Sequence, residues 1–361
     1  MDIRQSTSAY EAWVRVHARL VPADLAAKHT AMAGDPFSFL RATFYRWAEL
    51  VPKLCPSEMD APRILGVGDL HIENYGTWRD AEGRLIWGIN DFDEAYPLPY
   101  TNDLIRLATS GWLAAKLGRI RLAPARIGAA IMEGYAGELA IGGRPYVLSE
   151  RHRWLRDTVT SQRRDPTRYW EKLCAYPPLA RVPSAVKTML KQALPELSEP
   201  PRIVHRLAGL GSLGRERYTA IAELRGGKIA REAKSLFPSA WAWANGRPGE
   251  TALYYDAVLN QSIRSADPFL RVVPGWVIRR LSPYCSRIDL NELAEERHEA
   301  RLLRAMGREL ANIHVGDKKA ATAIQRDLAQ RNPRWLRQAT ENMLEATLAD
   351  WREWARETDR V

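Results

Sequence analysis

The sequence predicts an α+β protein in which a small β-rich lobe is inserted into a larger helical lobe. Apolar residues recur at helical spacing through residues 8–55 and again from residue 290 onward. Between these regions, a Pro-Pro pair at 200–201 precedes short segments with strand-like alternation, at residues 202–234 and 269–278. The predicted divisions are a first helical part (1–200), a β-rich lobe (201–288) and a second helical part (289–361).

Local signals define the elements of the first half of the chain. Asp35 is a helix cap, and Pro36 behind it suits the first helical position. Residues 63–67 form a short apolar strand. Two apolar runs within residues 75–89 flank a polar turn at 80–83, which predicts a β-hairpin.

Helices dominate the remaining predictions outside the β-rich lobe. A polar segment at 101–103 starts one helix, a second covers 123–139, and further helix is predicted through 149–194. Inside the β-rich lobe, a helix of about fifteen residues is predicted from residue 250. A long amphipathic helix is predicted at 301–314.

Composition limits the classes of function. The chain has 361 residues and is 46% hydrophobic with 13 Trp, enough for a large buried core. Its net charge of +10 comes from scattered arginines, and the basic clusters at 151–153 and 163–164 lack the aromatic interleaving of an RNA-binding sheet. A nucleic acid partner is therefore not predicted, whereas a polyphosphate ligand would suit the charge. The three cysteines lack metal-ligand spacing, and the N-terminus does not resemble a signal peptide, so a cytoplasmic protein is predicted. No run of about 18 apolar residues is present, so a membrane partner is not predicted.

Two acidic motifs carry the predicted chemistry. Asp69 and Asn74 lie five residues apart in Gly-Asp-Leu-His-Ile-Glu-Asn, and the hairpin would bring Asn74 beside Asp91 of Asn-Asp-Phe-Asp. Kinase-type folds use an Asp to accept the proton of the attacking hydroxyl, and an Asn and a second Asp to hold magnesium against the nucleotide phosphates. We therefore predict Asp69 as the catalytic base and Asn74 and Asp91 as Mg²⁺ ligands. Asp93 is either a third ligand or a residue that orients Asp91.

A glycine-rich motif at 209–214 permits three interpretations. In a dinucleotide-binding unit, residues 215–224 would be a helix and Glu232 would bind ribose. In a kinase-type lobe, the same residues would be a strand, a turn at Gly226-Gly227 would follow, and a cation on the next strand would bind phosphate. A plain structural turn is the third interpretation. The acidic motifs favour the kinase-type interpretation, with Gly209, Gly211, Ser212, Gly214, Arg231 and Lys234 as nucleotide-binding candidates.

The motif order implies a rearranged fold. In kinases the glycine loop precedes the catalytic Asp, whereas here it follows Asp69 by well over a hundred residues. We therefore predict a protein-kinase-like two-lobed fold that is circularly permuted. The helix at 301–314 would then be the one that elsewhere leads into the catalytic loop.

Several residues are predicted to support this site. His71 packs within the loop, and His314 ends a helix. Asp103 resembles the Asp that braces the catalytic loop in small-molecule kinases, and Arg106 is its expected ion-pair partner or a substrate contact. Glu94 is expected to be solvated. Glu250 and Asp256 are the candidate acidic partners of the phosphate-binding cation.

The runs at 68–76, 90–95 and 103–110, with the glycine loop and residues 231–233 and 267–270, resemble the bacterial DUF2252 family of uncharacterised proteins. The catalytic runs also resemble aminoglycoside-phosphotransferase-type small-molecule kinases. That resemblance implies an ATP- and Mg²⁺-dependent phosphotransferase. Where the DUF2252 family often places Lys, this chain has Arg231, a planar fork instead of a point charge, so Arg231 and Lys234 both remain candidates.

These observations predict a phosphotransferase acting on a small hydroxylated or amino-bearing acceptor, with a protein acceptor as an alternative. Two other functions stay open. One is a pseudokinase-like regulatory protein that binds nucleotide, and the other is a dinucleotide-dependent enzyme built on the glycine loop. Acceptor contacts are expected from the helical regions around residues 110–200.

Overall fold

The computed structural model describes residues 1–161, 165–285 and 296–358. Within these ranges the chain is α+β, as predicted. The basic pair at 163–164, the start of the second helical region at 290–295 and the predicted boundary at 288/289 lie outside the described residues.

Five helices at the N-terminus pack beside the segments that carry the acidic motifs. The Asp35 carboxylate accepts hydrogen bonds from the backbone N–H groups of Phe37 and Ser38, both at 2.9 Å, which confirms the predicted cap. The bounds of these helices are α1 Ile3–His17, α2 Pro22–Gly34, α3 Pro36–Ala42, α4 Phe44–Leu54 and α5 Pro56–Met59.

Two small sheets hold the acidic motifs. Strands β1 (Arg63–Gly66) and β4 (Tyr96–Pro99) pair antiparallel. Strands β2 (Tyr75–Arg79) and β3 (Leu85–Ile89) form the predicted hairpin, and β5 (Tyr146–Val147) adds to β3. The ends of this hairpin are adjacent, so the residues just outside it, at 74 and 90, are brought together.

Long helices form the centre of the helical part of the protein. Gly134 and Gly307 allow one pair to cross closely, because a Cβ atom on Gly134 would lie 1.9 Å from the carbonyl oxygen of Arg304. The predicted helix at 149–194 is divided into three shorter ones by Pro166 and by a proline-containing loop. In chain order these helices are α6 Tyr100–Lys116, α7 Pro124–Ile141, α8 Arg153–Ser161, α9 Pro166–Cys174 and α10 Ser184–Ala193, followed after the β-rich region by α13 Glu296–His314, α14 Lys318–Gln330 and α15 Trp335–Thr358.

The β-rich region is a five-stranded antiparallel sheet in the order β6-β7-β8-β10-β9. The turn from β7 to β8 lies one residue before its predicted position, because Arg225 and Gly226 have the positive φ angles and Gly227 already pairs with Leu224. The helix predicted from Glu250 is shorter than expected, because residues 251–254 are not helical and α12 covers only Tyr255–Gln261. The elements are β6 Arg202–Val204, β7 Arg217–Leu224, β8 Gly227–Ser235, α11 Ala240–Ala244, α12 Tyr255–Gln261, β9 Arg271–Val273 and β10 Trp276–Leu281.

One face of this sheet is mainly apolar and the other carries charged residues. Helix α10 covers one face, where Val186 and Leu190 pack against Ala220 and Ala233. Because side chains alternate along a strand, Glu232 and Lys234 lie on the opposite face. None of the helices in the described parts of the chain combines the length and apolar character needed to cross a membrane.

Candidate active site

The loop after β1 is held by a buried carboxylate. Asp103, on α6, accepts hydrogen bonds from the backbone N–H groups of Val67 at 2.7 Å and Gly68 at 3.0 Å. His314 Nε2 lies 3.2 Å from the same carboxylate. Asp103 is fully buried, and Gly68 has a φ of +78°, a conformation that favours glycine. Asp103 therefore fixes the backbone that presents Asp69.

Asp69 is paired with Arg106. Arg106 is fully buried, donates from Nε to Asp69 Oδ1 at 2.8 Å, and donates from Nη2 to the carbonyl oxygen of Leu40 at 2.8 Å. The predicted ion pair of Arg106 with Asp103 is therefore wrong, because Asp103 is used by backbone N–H groups and His314. The guanidinium neutralises Asp69 and fixes one of its two oxygens.

Asn74 joins the two acidic motifs. Its Nδ2 donates to the backbone carbonyl oxygen of Asp91 at 3.0 Å and lies 3.4 Å from that of Asp69. The amide nitrogen is used in these contacts, so Oδ1 is the atom that could ligate a metal ion. His71 is buried beside it, and its Nδ1 accepts a hydrogen bond from the backbone N–H of Glu73 at 3.2 Å.

Lys234 comes from β8 to meet the second acidic motif. Its Nζ lies 2.9 Å from Asp91 Oδ2 and 2.7 Å from Asp93 Oδ2, and the side chain is buried. Burial opposes ionisation of Asp91, but the charges of Lys234 and Arg279 outweigh it and lower the pKa of Asp91 below its usual range. Burial and the neighbouring Asp91 raise the pKa of Asp93 to about 6. The two carboxyl groups thus share one cation and differ in proton affinity.

Arg231 lies away from this site. Positions 231 and 234 are three residues apart on one strand, so their side chains face opposite sides of the sheet. Arg231 donates from Nε to the carbonyl oxygen of Ala193 at 3.1 Å and stacks on Phe269. Of the two predicted phosphate cations, only Lys234 meets the acidic motif.

The predicted acidic partners of the cation also lie elsewhere. Glu250 accepts hydrogen bonds from Tyr96 at 2.5 Å and Tyr254 at 3.2 Å, and Asp256 contacts Asn260. Among the described residues, the carboxylates that pair with Lys234 are instead Asp91 and Asp93.

The glycine loop is adjacent to Asp69. Residues 217–224 form strand β7, so the helix required by the dinucleotide interpretation is wrong. Gly209 and Gly214 have φ angles of +73° and +95°. A Cβ atom on Gly211 would lie 3.3 Å from Asp69 Oδ2. Ser212 is used within the loop, since its Oγ donates to the Gly209 carbonyl oxygen at 3.1 Å.

Arg215, which the motifs did not single out, connects the glycine loop to the acidic motif. Its guanidinium lies 3.3 Å from Asp93 Oδ2 and 2.9 Å from Glu94 Oε1. Glu94 is buried, contrary to the prediction, because it also accepts hydrogen bonds from Ser239 Oγ at 3.0 Å and the Ala240 N–H at 2.7 Å. Burial raises the pKa of Glu94.

The residues around Asp69 enclose a small cavity of about 60 Å³. Asn74, Asp91 and Asp93 line this cavity, together with the glycine loop and side chains from the N-terminal helices. None of the described residues between positions 110 and 200 lines this cavity, and the acceptor contacts expected from that region stay a prediction. The N-terminal helices contribute Tyr10, Lys28, Arg41, Ala42, Phe44 and Tyr45.

A larger cavity of about 840 Å³ adjoins the same glycine loop at Gly209. It extends from Asn90 beside Asp91 to the end of β10, between the five-stranded sheet and the β2–β3 hairpin. Six cationic side chains line it, against two carboxylates. The cations are Arg168, Lys172, Arg206, Arg264, Arg279 and Arg280.

A buried ionic cluster lies next to this larger cavity. Glu232 is fully buried and lies 2.6 Å from Arg206, 2.5 Å from Arg217 and 2.9 Å from Arg279. Burial alone would raise its pKa, but these guanidinium groups hold the pKa of Glu232 well below its usual range. No motif predicted this cluster, because its members are distributed over three strands and a loop.

Residues 19–146 match the model of a family described as an uncharacterized protein conserved in bacteria (DUF2252). The matched segment contains Asp69, Asn74, Asp91, Asp93 and Asp103, so it supports the DUF2252 resemblance seen in the motifs. The glycine loop and Lys234 lie outside it. No curated protein and no solved structure matches the chain.

Proposed function

We propose that this protein is an ATP- and Mg²⁺-dependent phosphotransferase with a circularly permuted, kinase-like two-lobed fold. The observation that carries the proposal is the meeting of two distant segments in one cleft. Asp69 and Asp91, near the N-terminus, lie beside the glycine loop and Lys234, which come from the five-stranded sheet. In protein kinases a glycine-rich loop likewise covers the phosphates and the third strand carries the phosphate-binding Lys. Here the glycine loop joins β6 to β7, and Lys234 lies on β8, the third strand.

The donor nucleotide would occupy the larger cavity. A volume of about 840 Å³ lies within the range of small-molecule sites, and its lining is cationic. The smaller cavity around Asp69 would hold the transferred phosphoryl group and the reacting end of the acceptor. Asp69 would align the acceptor hydroxyl or amine and receive its proton, with Arg106 fixing the carboxylate.

The chemistry of the acidic motif suits Mg²⁺. In the described ranges no group of three or more His, Cys, Asp or Glu side chains has a metal-binding arrangement. However, Mg²⁺ needs only one or two protein carboxylates beside phosphate and water. Among the described residues, the buried Asp93 Oδ1 has no hydrogen-bond partner, so a carboxylate oxygen is available. Asn74, Asp91 and Asp93 would hold the ion, which neutralises phosphate charge when bound.

Thermal unfolding tests this proposal. We expect MgATP to raise the melting temperature of the wild-type protein through preferential binding to the folded state. Asp91→Ala should abolish this shift, and the matched variant Asp157→Ala, at an exposed Asp of α8, should retain it. An equal shift in wild type and Asp91→Ala would contradict the proposal.

A pseudokinase-like regulatory protein is the second candidate. The ion pair of Asp69 with Arg106 favours it, because the guanidinium occupies Oδ1 of the carboxylate and leaves only Oδ2 for an acceptor. Incubation with labelled ATP and a library of hydroxyl, amine and protein acceptors separates the two functions. Phosphoryl transfer that Asp69→Asn abolishes supports the enzyme, whereas MgATP binding without turnover supports the regulatory protein.

A further inference from the structure

Lys28, on α2, is a buried cation without a carboxylate partner in the part of the chain that the structure describes. The other buried cations of the site are paired, Lys234 with Asp91 and Asp93, and Arg106 with Asp69. Lys28 is only 8% exposed, and its Nζ donates to the carbonyl oxygen of Gly211 at 3.3 Å. One long hydrogen bond leaves most of the donor capacity of its ammonium group unused.

A buried ammonium group without a counter-ion destabilises the folded protein unless a ligand supplies the opposite charge. Taking an ammonium ion out of water costs several kcal/mol when no counter-ion is present. Burial and the nearby Arg215 accordingly lower the pKa of Lys28 to about 8. The carboxylates that act on it, Glu11, Glu94 and Asp69, lie beyond ion-pair distance and offset this only in part. An anion in contact with Lys28 would remove the penalty.

The position of Lys28 indicates the size of that anion. Lys28 lines the cavity of about 60 Å³ that contains Asp69 and the glycine loop. A water molecule needs about 10–15 Å³ measured in this way, so the cavity holds a group of a few heavy atoms. Arg41 lines the same cavity, and its Nε is buried without a hydrogen-bond partner, while Nη1 binds Glu73 at 2.7 Å. Two cationic side chains with unused donors thus face a space of phosphate size.

We propose that Lys28, assisted by Arg41, binds a compact tetrahedral oxyanion inside the cavity around Asp69. The oxyanion site is inferred from the geometry of Lys28 and Arg41 alone. Only the identity of the carrier, the molecule that bears the oxyanion group, rests on the proposed phosphotransfer. The carrier is either the transferred phosphoryl group or an anionic group on the acceptor.

Sulfate binding in the absence of nucleotide and metal tests the site directly. Sulfate stabilises folded proteins generally, so the informative quantity is the difference between variants. We expect sulfate to raise the melting temperature of wild type and of the exposed-lysine control Lys187→Met by equal amounts. Lys28→Met should show a clearly smaller rise. Equal rises in all three proteins would overturn the proposal.

A second measurement uses only the wild-type protein, in case Lys28→Met does not fold. Differential acetylation, quantified by mass spectrometry for each lysine, reports the accessibility and charge of Lys28. Sulfate or inorganic phosphate should protect Lys28 several-fold more than Lys187. The proposal fails if both lysines react at unchanged rates.

The same labelling identifies the carrier. Protection by MgADP with aluminium fluoride, beyond that by MgADP alone, assigns the oxyanion to the transferred phosphoryl group. Protection by sulfate but not by this complex assigns it to the acceptor. If the proposed phosphotransfer is wrong, MgATP either fails to stabilise the wild-type protein or binds without phosphoryl transfer, and the sulfate result is unaffected.

Discussion

Replacement of Lys234 by Met should destabilise the protein in a pH-dependent way. Lys234 is the shared cation of Asp91 and Asp93, with Nζ–Oδ2 distances of 2.9 and 2.7 Å. Removing one partner of a buried ion pair costs about 3–5 kcal/mol, because the other charge is left uncompensated. The Asp91 side chain keeps 32% of its surface exposed, so solvent screens part of the loss and the lower limit, about 3 kcal/mol at neutral pH, is the expected value.

The dependence on pH has a definite sign. The Lys234 charge lowers the pKa of both carboxyl groups, so both pKa values rise in Lys234→Met. At about pH 4 the variant can protonate these groups in the folded state and lose little stability. Above about pH 7 it must keep both groups charged without the Lys234 ammonium group, so the deficit is largest there.

Urea unfolding followed by Trp fluorescence at several pH values measures this deficit. Lys187→Met, on the exposed face of α10, serves as the control for loss of a lysine charge. Adding Asp93→Asn to Lys234→Met should restore part of the stability at neutral pH. A deficit that is the same at low and neutral pH, or below about 1 kcal/mol throughout, would refute the assignment of Lys234 as the compensating cation.

Two further predictions concern single residues. Burial raises the pKa of Glu309, on α13, to about 7, so its contribution to stability is complete below the unfolded-state pKa near 4.5 and is lost as pH rises through 7. Glu309→Gln should therefore gain up to about 3 kcal/mol relative to wild type between pH 5 and 8, measured by urea unfolding, and a constant difference would contradict the burial argument. Gly211→Ala should change the free energy of unfolding by less than about 1 kcal/mol but weaken MgATP binding, because its Cβ atom would lie 3.0 Å from the Arg41 carbonyl oxygen and displace the loop. If calorimetry shows that the variant binds MgATP as tightly as wild type, Gly211 does not belong to the nucleotide-binding loop.

Sequence patterns could predict the parts of the fold that depend on local signals. The hairpin at 75–89 was predicted correctly, because apolar alternation and a polar turn are both encoded within fifteen residues. The strand at 217–224 was also among the alternatives, but its alternation could not exclude a helix without the tertiary contacts of the sheet. The helix predicted from Glu250 was too long, because the hydroxyl groups of Tyr96 and Tyr254 hold Glu250 and only Tyr255–Gln261 is helical.

Charged residues with distant partners were predicted least well. Glu94 was expected to be solvated, yet it caps the N-terminus of α11, more than a hundred residues away. Arg106 was assigned to Asp103, although the partner that it contacts is Asp69. Lys28 and Arg215 carry no motif at all, and only the packing of α2 against the glycine loop brings them to the site. Side-chain partners of this kind depend on tertiary structure, which the local periodicity of the sequence does not encode.

The location of positive charge within the fold bears on the choice between a polyphosphate ligand and a nucleic acid. Among the described residues, nine Arg and Lys side chains line the two cavities. Arg106, Arg215 and Lys234 are balanced by carboxylates of the acidic motifs. The larger cavity retains an excess, because Glu232 compensates Arg206 and Arg279 whereas most of its other cations face few carboxylates. A concave site with excess positive charge suits a compact polyanion such as a nucleoside triphosphate, whereas duplex or single-stranded nucleic acid is usually bound on an extended basic surface. The basic composition is therefore an argument for phosphate recognition inside the cleft.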